Sequence, residues 1–433
     1  MESNTRIRNF KIRTLFLFFW VAVFMVVPDS GRSEQMGPVR VMGVWGGDEL
    51  KAFRAVISGW EADTGGRVEF EGTRDLAAVL RARVIGGNPP DLAILPNPAL
   101  MKEFSRAAKL KAIDKILEME QIKRDYAETW LNLGSVGGSL FGLFVKATAK
   151  STVWHNPREF AAHQWDIPRT WKGLMALSDQ MAKDGKTPWS IAVESGGASG
   201  WPASDWIQKI FLHESGGDLY DQWVDHRIPW THETVKSAFE KFGKMALTEG
   251  YVKGGAHAIL ATNFIDGSYL PFMKPPRAYM TFLGSFVQGF ISKQFPSLKP
   301  EEDYSFFSFP TIHSEYAGAV TGAADMVVLF RDNNASHSLL KYLAAGRAWE
   351  PWARRGGYTS PNRSMNPGAY PDPLATRLAQ LLTASPLFRF DADDLMPAEV
   401  QKTFWTGSMD YLRNPKNLGQ ILKKIEGVAR EAY

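Results

Sequence analysis

Apolar positions along this chain switch repeatedly between a strand-like run and a helical stripe. Residues 39–45 form an apolar run suited to a buried strand, and Leu50, Phe53, Val56, Ile57 and Trp60 then recur at helical spacing. Residues 67–71 predict a second strand. The helix after it turns Leu76, Val79, Leu80 and Val84 inward and stops at Gly86-Gly87-Asn88-Pro89-Pro90. A third strand is expected over residues 91–95, before a helix that starts at Pro98 with Leu100 and Phe104 on its apolar face. The middle of the chain is more helical, with stripes Trp171, Leu174, Leu177, Met181 after Thr170 and Val235, Phe239, Phe242 after Thr231. Strand-like runs return at residues 278–283, 304–309 and 326–330. Repeated strand-helix units imply an α/β fold, a sheet wrapped by helices. No repeat of fixed period and no long polar linker divides the chain, so two domains would have to be closely joined.

The N-terminus has a different pattern. Arg6, Arg8, Lys11 and Arg13 precede thirteen apolar residues, 15–27, and Pro28-Asp29-Ser30-Gly31 follows. This is the layout of a cleaved secretory signal peptide over residues 1–33, with a mature chain starting near Glu34. The apolar stretch is short for a membrane span, which needs about 20 residues. No later segment reaches that kind of length without charges, so the mature protein is expected in the periplasm, soluble outside the cytoplasmic membrane.

Composition narrows the chemistry. A length of 433 residues allows two to three domains, and 45% hydrophobic with 22% charged residues is globular rather than disordered. The formal net charge is +4, of which residues 1–33 carry +3, leaving +1 for the mature chain. That is no footprint for a nucleic acid. The chain has 0 cysteines, which excludes disulfides, thiolate metal sites, a cysteine nucleophile and a lipidated N-terminal cysteine.

Catalytic patterns dissolve on inspection. Gly46-Gly47-Asp48-Glu49 imitates the start of a cyclase signature but opens a helix just after the first strand. Gly197-Ala198-Ser199 lacks the final glycine of a nucleophile elbow, since Trp201 stands in its place. Ser338 and Lys341 satisfy S-x-x-K without its partner motifs. There is no H-E-x-x-H, and Asp391, Asp393 and Asp394 lack the glycine and terminal glutamate of a calcium loop, which reads as a solvated helix entrance. No catalytic residue, metal site or cofactor is therefore expected. Two carboxylates at glycosidase spacing would make the chain a secreted carbohydrate-active enzyme, an alternative that sequence leaves open.

The positive signal is aromatic residues beside polar loops: Trp45 before Gly46-Gly47-Asp48, Trp201 inside Gly196-Gly197-Ala198-Ser199-Gly200-Trp201-Pro202, and Phe286 after Gly284-Ser285. A sugar has apolar C–H faces and a rim of hydroxyls, and its site needs flat apolar rings plus satisfied polar groups.

With these loops in place, the run from Val41 through Gly47, the stretch Gly87-Asn88-Pro89-Pro90-Asp91-Leu92-Ala93-Ile94-Leu95-Pro96 and Thr152-Val153-Trp154-His155-Asn156-Pro157 resemble the extracellular sugar-binding proteins of ABC transporters, family 1 solute-binding proteins that include maltose-binding proteins. Ser199-Gly200-Trp201-Pro202, residues 223–230 and Pro276-Arg277-Ala278-Tyr279-Met280 look closest to the α-glucoside-binding branch. The resemblance implies a two-lobe periplasmic-binding-protein fold, each lobe a sheet wrapped by helices, joined by hinge strands that close on ligand. By position, residues 37–145 plus 284–315 would form the N-terminal lobe and residues 146–283 plus 316–433 the C-terminal lobe. It also implies a ligand site of Trp45, Asp48, Glu49, Arg74 and Asn97 from the first lobe, with Trp201, Asp205, Phe286 and Asn362 completing it. The implied partners are a small carbohydrate and ABC permease subunits with a cytoplasmic ATPase, the receptor itself being a monomer; a receptor feeding a chemosensor would share the same site. The chain has Asn97-Pro98-Ala99 where the branch usually has a Gln-Pro-Gly sequence, and Phe144-Val145-Lys146-Ala147-Thr148 where a proline and an acidic residue are usual.

Overall fold

β1 (Val39–Gly43), β2 (Val68–Gly72) and β3 (Leu92–Leu95) form where the first three apolar runs lie. This computed structural model describes residues 37–383 and 385–433; the expected signal peptide over residues 1–33 and the start near Glu34 lie outside the described residues. The three strands pair in parallel with β1 central, because the helices Gly47–Thr64 and Leu76–Ile85 carry the chain back across the sheet between them. Both faces of this sheet are covered. Val39, Val41, Leu92 and Ile94 meet Phe53, Val56, Ile57 and Trp60 on one side, while Met42, Ala93 and Leu95 meet Leu80, Leu100 and Phe104 on the other. Side chains alternate between faces, so strands buried on both sides read as continuous apolar runs.

Six more strands complete two sheets: β4 (Gly142–Ala149), β5 (Thr152–His155), β6 (Met280–Phe282), β7 (Ser305–Ser308), β8 (Val320–Leu329) and β9 (Phe388–Phe390). The end of β8 pairs antiparallel with β3, its start pairs in parallel with β9, and β4 runs antiparallel along its other edge. β5 lies between β6 and β7 in a separate antiparallel sheet. Only Lys150 and Ser151 separate β4 from β5, so the chain passes from one sheet to the other within two residues.

Pairing and packing place two further segments. β7 belongs to the sheet of β5, and Val287, Ile291, Tyr304 and Phe306 pack with Trp154. Leu339, Leu340, Leu343, Trp349 and Trp352 instead join the core of the first sheet. The reason is the direction of β8, which delivers the following chain back to β3. Around the second sheet, the helices Trp201–Val224, Glu233–Leu247, Ala398–Arg413 and Leu418–Ala432 enclose Trp206, Trp223 and Trp230. Thr170 caps the helix Trp171–Lys183 through Gly173 N–H, as its spacing implies. The cap of Glu233–Leu247 is His232, its imidazole Nδ1 accepting from Thr234 N–H. Among the described residues no helix is long and apolar enough to cross a membrane.

Candidate functional site

A β-bulge shapes one wall of the site. Asp325 of β8 pairs with Lys146 of β4, yet Met326 pairs with Phe144, so Val145 is an extra residue in its strand. Lys146 is nearly buried, and its Nζ lies 2.8 Å from Glu49 Oε1 and 3.8 Å from Asp325 Oδ2. Trp45 Nε1 donates to Asp325 Oδ2 at 3.0 Å, and Arg74 approaches Glu49 at 3.8 Å. Burial opposes the charge on Lys146, but Glu49 and Asp325 outweigh it and hold its pKa above the ordinary lysine value. The Asp325 carboxyl is pushed up by burial, against the pull of Lys146. Two cations thus balance two carboxylates on this wall.

The opposite wall starts at Gly200, whose φ of 104° lies in the left-handed region. A Cβ there would meet the Trp405 carbonyl oxygen at 2.5 Å, so glycine alone lets Trp201 open the helix Trp201–Val224 at this place. The Trp201 ring stands edge-on to Phe264 and Phe286, with centroids 5.1 and 6.1 Å away. Lys150, just past β4, holds its ammonium 4.8 Å from the Trp201 ring centroid, 3.0 Å from Asp205 Oδ1 and 2.6 Å from Asp391 Oδ2. Ser204 Oγ and Trp405 Nε1 both donate to Asp393 Oδ2, at 2.7 and 2.6 Å.

A cavity of about 390 Å³ lies between the walls, within the range of small-ligand sites. Of the expected residues, Trp45, Glu49, Arg74, Asn97, Trp201 and Phe286 line it. Three others do not. Asp48 pairs with Lys293 and with Lys51, and these cations keep its carboxyl below the ordinary aspartate range. Asp205 is buried behind Lys150, where it also accepts from Gln208 Nε2 at 3.1 Å. Asn362 is buried in a turn, donating Nδ2 to the Ala344 carbonyl and accepting from Ser364 N–H. Two lining residues carry structural work as well: Asn97 Oδ1 caps the helix Pro98–Arg106 through Leu100 N–H, and Trp45 packs against Phe53 and Trp352.

Sequence reading missed Lys146, Lys150, Asp325, Asp393, Asp394 and Trp405, all of which line the cavity. The signal for the first three was a charge set in or beside an otherwise apolar strand run. Asp391, Asp393 and Asp394 are corrected: in place of a solvated helix entrance, Asp391 and Asp393 are 0% and 2% exposed. The chain turns inward after β9, which packs beside β8, and carries these residues to the cavity wall.

The pattern of the bacterial extracellular solute-binding protein family matches residues 46–345. The osmoprotective compounds-binding protein GgtB of Synechocystis sp. is 35% identical over 418 residues, 96% of this chain and 98% of the relative. The α-glucosides-binding periplasmic protein AglE of Rhizobium meliloti is 32% identical over 384 residues, 86% of this chain and 82% of the relative. Among solved structures, the bacterial solute receptor AcbH superposes with a TM-score of 0.79 at 18% identity, covering 91% of this chain and 99% of that one. A chitin oligosaccharide binding protein gives the same score and identity, with 91% and 98% covered.

Proposed function

Because the chain belongs to the bacterial extracellular solute-binding protein family, we propose that its cavity captures an α-glucoside or other oligosaccharide and delivers it to an ABC permease driven by a cytoplasmic ATPase. The fold is the two-lobe α/β fold of solute-binding proteins. The observation that carries the ligand class is the composition of the two walls. Trp201 and Phe286 present rings to the cavity, and Glu49, Arg74, Lys146 and Lys150 offer charged donors and acceptors already held by partners. Rings suit the C–H faces of a sugar, and ion-paired groups can bond its hydroxyls without an unpaired buried charge.

In this reading one lobe holds residues 37–145 with 326–369 and the other residues 146–325 with 370–433, with β4 and β8 as the hinge between them. Closure about these strands brings Trp201 toward Glu49 and Arg74. The receptor acts as a periplasmic monomer, freed of its signal peptide and unlipidated for want of a cysteine, and it releases its ligand unchanged. A thermal-shift panel of mono-, di- and oligosaccharides tests the ligand class, since a ligand at 100 times its Kd adds about 2.7 kcal/mol of stability. A rise with at least one α-glucoside supports the reading; a flat response to every sugar sinks it.

A further inference from the structure

The two walls differ in charge balance. On the β4–β8 wall, Lys146 and Arg74 offset Glu49 and Asp325. On the other, Lys150 pairs with Asp205 and Asp391 and also attracts Asp393 and Asp394, while buried Lys209 adds a weaker pull on Asp391 alone. Among the described residues no lysine or arginine forms an ion pair with Asp393 or Asp394. One ligand oxygen from each of Asp391, Asp393 and Asp394 lies within 4.8 Å of the others.

Oxygens here also lack donors. Oδ1 of Asp391, Oδ1 of Asp393 and Oδ2 of Asp205 are buried without a hydrogen-bond partner, on residues at most 2% exposed. A buried carboxylate oxygen left so is costly unless a cation or proton meets it. The partnered oxygens are meanwhile fixed from behind: Asp393 Oδ2 takes Ser204 and Trp405, and Asp394 Oδ1 takes Gln401 Nε2 at 3.0 Å. Such outer contacts orient carboxylates around an ion. Lys150 contacts Asp391 through Oδ2, which leaves Oδ1 available.

We propose that Asp391, Asp393 and Asp394 bind a hard divalent cation of the calcium type at the edge of the ligand cavity. The donor set is all oxygen, with no histidine, which suits such an ion rather than a transition metal. Asp393 and Asp394 line the cavity, giving the ion an entry path and leaving coordination positions for water or a ligand hydroxyl. The site is built on the one-turn helix Ala392–Leu395 and the Asp391 before it rather than on a 12-residue calcium loop, which is why the spacing alone did not reveal it. It goes beyond carbohydrate binding and stands whether or not a sugar binds.

The test uses the secreted protein stripped with EDTA. Calorimetry with CaCl2, and Tb³⁺ luminescence excited through the indoles, of which Trp405 bonds directly to Asp393, should each report one saturable site per chain, with Ca²⁺ displacing Tb³⁺. Asp391→Asn and Asp393→Asn should each weaken binding at least tenfold. Asp410→Asn, a surface residue paired with Arg413, should leave it unchanged. Melting temperatures in metal-free buffer should not fall in Asp393→Asn, whose carboxyl has no lysine or arginine partner to lose and whose remaining oxygen still accepts from Ser204 and Trp405, and this separates lost binding from lost folding. Absence of saturable binding up to about 10 mM, beyond the range of weak extracellular calcium modules, would overturn the proposal. So would binding that survives both substitutions.

Discussion

Lys146 Nζ lies 2.8 Å from Glu49 Oε1, tying the bulged strand β4 to the first turn of the helix Gly47–Thr64. The contact exists because Val145 is an extra residue in the β4 ladder, which sets Lys146 directly opposite Asp325. The same ammonium stands 5.1 Å from the Trp352 ring centroid, so one side chain links a cavity wall, strand β4 and an aromatic core.

Lys146→Met should leave Glu49 and Asp325 without their shared cation. Removing one partner of a buried pair costs about 3 kcal/mol or more, and denaturant unfolding should register that loss. A double-mutant cycle with Glu49→Gln should return a coupling of about 1 kcal/mol or more. Additive effects would show that the pair does not act as a unit.

Trp45 and Trp201 both line the cavity but should respond differently to truncation. Trp45 is almost wholly buried among Phe53, Phe70, Trp349 and Trp352, so Trp45→Ala should cost about 3 to 5 kcal/mol of folding stability as well as affinity. Trp201 is only half-buried, and Trp201→Ala should cost about 2 kcal/mol of binding, roughly 30-fold in Kd, with a smaller loss of stability. Thermal melts and titrations on the two variants separate the roles.

Asn362→Ala should behave as a structural substitution. It strands the Ala344 carbonyl and the Ser364 N–H inside the fold, at a cost of about 1 to 3 kcal/mol, while the Kd for any bound sugar stays within twofold of wild type. A large fall in affinity with unchanged stability would return Asn362 to the ligand site.

His155 should make the protein acid-sensitive. Burial, helped by nearby Arg377, lowers its pKa from 6.5 to about 4. The unfolded chain therefore binds more protons between these values, and stability present above pH 6.5 is lost as pH falls toward 4. The full shift corresponds to about 3 kcal/mol. His155→Gln, which cannot titrate, should flatten this part of the stability profile; an unchanged slope would assign the acid sensitivity to other groups.

Local order was easier to read from sequence than long-range meeting points. The βα units over residues 39–106 follow from apolar period and from start and stop signals such as Pro98 and Gly86-Gly87, because both are local. Trp201 and Phe286 could be chosen because aromatic rings beside glycine-rich loops are visible as sequence. Lys150 meeting Asp391 could not, since 241 positions separate them and β9 brings them together only by pairing with β8. Asn362 was undecidable for the same reason: a polar residue after Pro361 fits a ligand loop and a buried turn equally well, and its bond to the distant Ala344 carbonyl is not marked locally. Residues 339–352 join the core of the first sheet because β8 carries the chain back to β3, a crossing that no local pattern marks.

The most direct measurement is calorimetric titration of α-glucosides into the wild-type chain and into Trp201→Ala, with chromatography of the recovered ligand. The expected result is binding of at least one glucoside at one per chain, a Kd roughly 30-fold weaker in the variant, and sugar recovered intact. Equal affinity in both proteins, no binding by any glucoside, or conversion of more than one equivalent of sugar would contradict capture in this cavity.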